Sequence, residues 1–281
     1  MPELYTDKKI DPFLKWAGGK RWLAPHLVSV IPQYRTYYEP FLGSGCLFFA
    51  LRPKRAVLAD KNSDLINCYR QVRNNIPKVL RILKTLVASK DQYYKIRDHC
   101  YPQSDPISKA AYFIYLNKMC WNGLYRVNRQ GKFNVPVGKL SIKKTIYSEE
   151  NLLNASKLLK NTDLRLGDYS KTISGISRGD LVYFDPPYVT THLNNGFIKY
   201  NSKLFSHQDE RSLAKLATDL ARKEINVIIS NAAHPQIESL YKLPLKKKKL
   251  NRMSPIAADP NRRLIYPELL AANFSLRNLR N

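Results

Sequence analysis

Two short apolar runs, each closed by an aspartate, limit the folds open to this chain. They are Ala56-Val57-Leu58-Ala59-Asp60 and Asp180-Leu181-Val182-Tyr183-Phe184-Asp185. Apolar runs of this length without polar alternation read as strands buried on both faces, the pattern of a parallel sheet covered by helices. An acid at the end of such a strand emerges at the carboxyl edge of the sheet, where α/β proteins bind ligands. Tyr37–Phe41, a glycine-containing turn and the apolar run Cys46–Leu51 precede the first run. Strand, turn, helix and strand in that order make the first half of a doubly wound sheet. Ile225–Asn231 reads as a further buried strand. His207–Lys223 reads as a helix with Leu213, Leu216, Ala217 and Leu220 on one face. The expected fold class is α/β.

Strand character is lost between about 67 and 149. Ile76–Leu86 and Ile107–Cys120 carry helical spacing, with Ile107, Ala110, Ala111 and Ile114 at i, i+3, i+4 and i+7. Alternating residues around Gln130-Gly131 predict a hairpin. The α/β pattern resumes near 150. A chain of 281 residues suits one large domain, or a main domain carrying a smaller insert. The reading adopted is a main domain made of 1–66 and 150–281, with 67–149 inserted.

The charge narrows the partners. Forty-seven Lys+Arg against 22 Asp+Glu give a formal net charge of +25. A field of that sign attracts polyanions, nucleic acid before an anionic membrane surface. Lys246–Lys249 are candidates for phosphate contact, or else a solvated face. The four cysteines, Cys46, Cys68, Cys100 and Cys120, form no CxxC pair, and no histidine lies at metal-ligand spacing from one. They read as reduced, mostly buried thiols, with no metal site. The first residues hold no apolar core of signal-peptide length, and no run approaches the roughly 18 apolar residues of a membrane span. The expectation is a soluble, cytoplasmic protein that acts as a monomer, without a membrane partner.

Three motifs carry chemistry. Phe41-Leu42-Gly43-Ser44-Gly45 follows the first strand, and its glycines let backbone approach a ligand closely; a plain glycine-rich surface turn is the other reading. Asp60 is placed to accept hydrogen bonds from ribose hydroxyls, or else to cap the helix that follows. Asp185-Pro186-Pro187-Tyr188 is the sharpest signal, although such dipeptides also make ordinary turns. The exocyclic nitrogen of adenine is a poor nucleophile because its lone pair is delocalised into the ring. A carboxylate accepting one N–H, and a backbone carbonyl accepting the other, draw that nitrogen toward tetrahedral geometry. Pro186 keeps its C=O and stiffens the turn that aims it, and Tyr188 offers a ring on which a flipped base can stack.

Trp16-Ala17-Gly18-Gly19-Lys20, Phe41–Gly45, Asp60 and Asp185–Tyr188 together resemble the Dam family of DNA adenine methyltransferases. Asn122–Arg126 followed by Phe133–Lys139 is similar to that family's target-recognition hairpin, and Asn261–Leu270 to its C-terminal signature. The resemblance covers nearly the whole chain in the family's motif order. It implies a Rossmann-like S-adenosylmethionine-dependent fold with the insert 67–149 as target-recognition domain. It implies methyl transfer from S-adenosylmethionine to the exocyclic amine of adenine in double-stranded DNA, within GATC, by base flipping and without metal.

The implied roles fall residue by residue. Trp16, Lys20, Phe41, Gly43, Gly45, Asp60, Asp168, Tyr169 and Asp185 match donor-binding positions. Asp185, Pro186 and Tyr188 match the catalytic motif. Trp121, Asn122, Leu124, Arg126, Pro136 and Lys139 match DNA-binding positions, Trp121 as a wedge, Leu124 and Arg126 as readers of bases. Trp121 stands where relatives often have Tyr, and Lys139 where some have Arg. The rival readings are an RNA adenine methyltransferase and a DNA-binding protein with an inactive methyl site. Protein-glutamine methyltransferases characteristically show Asn where Asp185 stands.

Overall fold

The computed structural model describes residues 9–139, 146–188, 205–253 and 265–279. The strands are β1 (Tyr37–Glu39), β2 (Ala56–Asp60), β3 (Thr162–Leu166), β4 (Leu181–Phe184), β5 (Asn226–Ala232), β6 (Lys246–Met253) and β7 (Ile265–Ala272). They form a sheet in the order β3-β2-β1-β4-β5-β7-β6. β2, β1, β4 and β5 run parallel, β7 runs antiparallel to β5, and β6 antiparallel to β7. This is the Rossmann-like α/β architecture the sequence pattern predicts. The chain runs outward from β1 to β2 and β3, then returns to β4 on the other side of β1. The order therefore reverses between β1 and β4, the switch point at which such sheets bind ligands.

The chain divides into two units: Met1–Pro25, Gly43–Lys54 and Ala59–Gly167 in the first, and His26–Leu42, Arg55–Leu58 and Asp168–Asn281 in the second. In the first unit the helix Ser63–Lys84 packs on Pro106–Met119 and on Glu149–Leu159. Leu65, Ile66, Tyr69 and Val72 are buried on the first of these helices, and Ala110, Ala111 and Ile114 on the second. The helix predicted from Ile76 begins at Ser63, so the expected border at 67 lies inside it. Pro77 interrupts it close to the predicted start. It removes the hydrogen bond to the Arg73 carbonyl and bends the backbone at Asn75, where φ is −131°. The Ser156 hydroxyl donates to that carbonyl at 3.5 Å. The predicted hairpin is present as two antiparallel bridges, Cys120 with Val137 and Val127 with Phe133.

In the second unit the helix His207–Arg222 packs on β5 and starts with a capping box, Ser206 and Asp209 bonding each other's backbone N–H. Val182, Phe184, Leu213, Ala217, Val227 and Ile229 build its core. Asp180, predicted inside the strand, stands just before it. Its carboxylate accepts from the backbone N–H of Thr36 at 3.2 Å and of Ser177 at 2.9 Å. Three of the lysines, Lys247, Lys248 and Lys249, have local partners along β6. Lys248 Nζ donates to the carbonyls of Leu276 (3.2 Å), Arg277 (3.4 Å) and Leu279. Lys247 Nζ donates to Glu238 O at 3.0 Å, and Lys249 Nζ lies 2.7 Å from Glu238 Oε1. Asn261-Arg262-Arg263 lie outside the described residues. Among the described residues, no helix is long and apolar enough to cross a membrane.

One buried acid makes this unit sensitive to pH. Glu210 is fully buried. Its two oxygens accept from Asn231 Nδ2 at 3.0 and 3.1 Å, and the Tyr241 hydroxyl lies 3.4 Å from Oε2. Burial pushes its carboxyl up to about 7, while the Asn231 and Tyr241 hydrogen bonds pull the other way. An acid with a raised folded pKa is held protonated more tightly by the folded chain than by the unfolded one. Its contribution is therefore fully present below about 4.5 and is lost as pH rises through about 7. The loss is on the order of 3 kcal/mol. Glu210→Gln removes the charge, so its stability relative to wild type should rise between pH 5 and pH 8 in urea unfolding. A difference between the two proteins that stays constant over that range would refute this account.

Candidate active site

In the first unit the turn Gly43–Gly45 is built around Asp60. Gly43 and Gly45 have φ of 47° and 65°, left-handed values that suit glycine, and Gly45 leads directly into the helix Cys46–Leu51. Gly43 N donates to Asp60 Oδ2 at 3.1 Å, and Asn62 N to Asp60 Oδ1 at 3.0 Å. Burial raises the Asp60 carboxyl above the ordinary range; the N–H donors of Asn62, Gly43 and Lys61 draw it partly back. The helix that follows is capped by Asn62, whose side chain accepts from Leu65 N at 3.0 Å. Asp60 instead ties the end of β2 to the glycine turn. The Trp16 indole lies against that turn so closely that a Cβ on Gly43 would meet its Cδ1 at 2.7 Å. Trp16 also stacks on Tyr125, with centroids 5.7 Å apart and planes 19° apart. Lys20 is buried, and its Nζ donates to Gly18 O at 2.9 Å.

In the second unit the carboxyl ends of β1 and β4 carry Phe41 and Asp185. The Phe41 ring stacks on Tyr169 (5.2 Å, 25°) and meets the edge of Phe205 at 5.6 Å. Asp168 caps the short helix Tyr169–Thr172, its Oδ1 accepting from Ser170 N at 3.0 Å and Ser170 Oγ at 2.7 Å. Asp185 Oδ1 accepts from the Ser230 hydroxyl at 2.8 Å. Pro186 is buried, and the Tyr188 hydroxyl donates to the buried Glu268 of β7.

The hairpin belongs to the first unit. Trp121 is half exposed, at 49 %, on the short turn Trp121–Gly123. The Trp121 backbone N–H donates to Pro136 O at 2.9 Å. Asn117 holds that turn to the N-terminal segment: its Oδ1 accepts from Lys15 N, and its Nδ2 donates to Lys15 O, both at 2.8 Å. Arg126 is exposed, yet its side chain is oriented. Nε donates to Asn134 Oδ1 at 2.9 Å, and a terminal nitrogen donates to Asn134 O at 3.2 Å. Tyr125 points back from the hairpin, donating to Asp64 Oδ2 at 3.2 Å. Leu124, Pro136 and Lys139 lie on the same excursion, with Pro136 and Lys139 exposed.

The family of D12 class N6 adenine-specific DNA methyltransferases matches residues 16–254 of the chain. The chain belongs to that family. It is 38 % identical to the type II methyltransferase M1.LlaDCHI of Lactococcus lactis subsp. cremoris, over 83 % of this chain and 85 % of that one. It is 34 % identical to the type II methyltransferase M.MjaIII of Methanocaldococcus jannaschii, over 95 % and 100 %. It is 37 % identical to the DNA adenine methylase of Serratia marcescens, over 80 % and 84 %. The chain is thus an adenine-specific DNA methyltransferase.

Within this methyltransferase the first unit brings together Trp16, Gly43, Gly45 and Asp60, and separately the hairpin residues. The second unit gathers Phe41 and Tyr169 at the end of β1, and Asp185, Pro186 and Tyr188 at the end of β4. Sequence reading passed over three side chains of the methyltransferase. Ser230 is a single hydroxyl closing the apolar run Val227–Ile229, and a polar residue there was the available signal. Glu268 stands beside two leucines and is 2 % exposed. Asn134 differs, because nothing in its sequence context marks it as the residue that orients Arg126.

Proposed function

We propose that the chain transfers the methyl group of S-adenosylmethionine to the exocyclic amine of adenine in duplex DNA, within GATC, with the segment 67–149 carrying target recognition. The observation that carries this reading is Asp185 at the carboxyl end of β4, fixed by Ser230 and followed by Pro186, Pro187 and Tyr188. The residues present fit the donor. Asp60 supplies a carboxylate for ribose hydroxyls beside a glycine turn that leaves no room for a Cβ. Phe41 and Tyr169 supply aromatic surface at the switch point, and Asp168 an acid next to them. Trp16 and Lys20 complete the proposed donor-binding set with Gly43 and Gly45. When bound, S-adenosylmethionine supplies a sulfonium-activated methyl group.

The chain's own residues then act on the amine. An ionised carboxylate has about four acceptor positions, so Asp185 can hold the Ser230 hydroxyl and one amine N–H together. The Pro186 carbonyl accepts the other N–H, and the nitrogen lone pair becomes localised for in-line attack. Tyr188, held through Glu268, stacks on the extruded base. No covalent enzyme intermediate is needed. Trp121 fills the gap left in the duplex, and Asn122, Pro136 and Lys139 support the hairpin's contact with DNA.

Readout is the part most open to test. Arg126, held by Asn134 through Nε and one terminal nitrogen, is assigned to a guanine edge, and Leu124 to a thymine methyl. On a panel of duplexes, each with one base pair of GATC changed, Arg126→Ala should lose roughly 1–3 kcal/mol of discrimination at the guanine position it reads. Trp121→Ala should slow methylation of every duplex alike. A uniform rate loss with Arg126→Ala would assign that side chain to a phosphate. Wild-type preference for another sequence would remove GATC and leave the reaction standing.

A further inference from the structure

We propose that Tyr183 and Ser230 form a hydroxyl relay that sets the orientation of the Asp185 carboxylate, making both of them positioning residues for methyl transfer. The proposal rests on the reading of Asp185 given above. It starts from the register of two parallel strands. Tyr183 of β4 stands opposite Ile228 of β5, and Phe184 opposite Ile229. Side chains alternate along a strand, so Tyr183 and Asp185 share one face of β4, and Ile228 and Ser230 share that face of β5. Continued by one step, the register puts Ser230 next to Asp185. Ser230 is completely buried and Tyr183 is 1 % exposed. Ser230 Oγ donates to Asp185 Oδ1 at 2.8 Å and lies 2.8 Å from the Tyr183 hydroxyl.

The polarity of this chain follows from counting protons. A serine hydroxyl has a single proton, and here it goes to Asp185. The Tyr183 hydroxyl must then donate to Ser230. The relay runs from Tyr183 through Ser230 to the carboxylate, and each donor polarises the next. A serine buried at the end of an apolar strand costs stability unless it is hydrogen-bonded. Tyr183 alone would satisfy it, so its hydrogen bond to Asp185 is what ties it to the chemistry. The carboxylate must present one oxygen to an amine N–H in a fixed direction. A carboxylate free to rotate misses that direction in much of its time, and a misplacement of about 1 Å costs up to roughly 100-fold in rate.

The test is steady-state kinetics of Ser230→Ala, Tyr183→Phe and the double variant, at saturating donor and duplex DNA, with KM for both and melting temperatures. Ser230→Ala should lower kcat roughly 10- to 100-fold with both KM values near wild type. Tyr183→Phe removes one oxygen and should lower kcat by a smaller factor. The double variant should match Ser230→Ala, because Tyr183 acts on Asp185 only through Ser230. An unchanged kcat in Ser230→Ala, a loss that appears in KM alone, or losses that multiply in the double variant would each overturn the relay. Should Ser230→Ala fail to fold, Tyr183→Phe carries the test, and an unchanged kcat there overturns it. Asp185→Ala serves as the control. An active Asp185→Ala would refute the reading of Asp185 itself, whereas an inactive one beside a fully active Ser230→Ala would refute the relay alone.

Discussion

Asp185→Ala should abolish methyl transfer, with a rate loss of roughly 10³-fold or more, while folding and DNA binding persist. Methyl transfer to an exocyclic amine needs an acceptor that localises the nitrogen lone pair, and losing a positioned acid–base group costs about 10²–10⁴-fold. The surroundings argue that the fold survives. Asp185 follows β4 rather than lying within it, and the described hydrogen bond to its side chain comes from Ser230. Removing it leaves one buried hydroxyl still next to Tyr183. That costs about 1–3 kcal/mol. Asp185→Asn keeps the shape but offers a single carbonyl oxygen as acceptor, so a small residual rate is expected. The measurement is single-turnover transfer of a labelled methyl group to duplex DNA, alongside urea unfolding. Near-wild-type turnover by the alanine variant would remove Asp185 from the chemistry.

The parts of the fold written plainly in the sequence are those buried on both faces. Ala56–Asp60 is apolar up to its closing acid and Ile225–Asn231 holds the apolar stretch Val227–Ile229, and they appear as β2 and β5 within a residue. The edge of the sheet was hidden for a physical reason. β6 opens with four lysines, residues depleted in strands, and its character comes from pairing with β7. β3, Thr-Asp-Leu-Arg-Leu, is short and lies at the other edge, where half its side chains meet solvent. Propensity is weak at such positions and tertiary pairing decides them.

The site divides along the same line. The aspartates at the ends of β2 and β4 were legible because an acid after a buried run has few structural reasons to be there. What holds them was not. Asp60 is met by a backbone N–H from Gly43, a donor that every residue except proline owns. Asp185 is met by Ser230, 45 positions away in the chain. The local partners of the β6 lysines were hidden in the same way. The alternation of a strand sends Lys247 and Lys249 to Glu238, and Lys248 to carbonyls of the C-terminal segment. The large positive excess supports a salt-dependent attraction to DNA.

Gly43→Ala should weaken S-adenosylmethionine binding by 10- to 100-fold, about 1.4–2.7 kcal/mol, and leave kcat at saturating donor nearly unchanged. Two costs combine at this position. Its φ of 47° is left-handed, which a residue with a Cβ adopts at a penalty of roughly 1 kcal/mol. The added Cβ would also lie 2.7 Å from Trp16 Cδ1 and 3.1 Å from its Nε1, so the indole must move. Relaxation in the other direction is restrained, because Gly43 N is bonded to Asp60 and Gly43 O accepts from the Tyr69 hydroxyl at 3.3 Å. Moving the turn would therefore pull on Asp60, and moving Trp16 would break its stack on Tyr125. Either path disturbs residues assigned to the donor. Trp16→Ala separates the two costs. In a protein already lacking the indole, Gly43→Ala meets no ring and should cost only the backbone penalty, so the two substitutions should be clearly less than additive. Calorimetry of donor binding to the single and double variants measures this. Full additivity would mean that Trp16 and Gly43 act apart, and an unchanged donor affinity in Gly43→Ala would place the donor elsewhere.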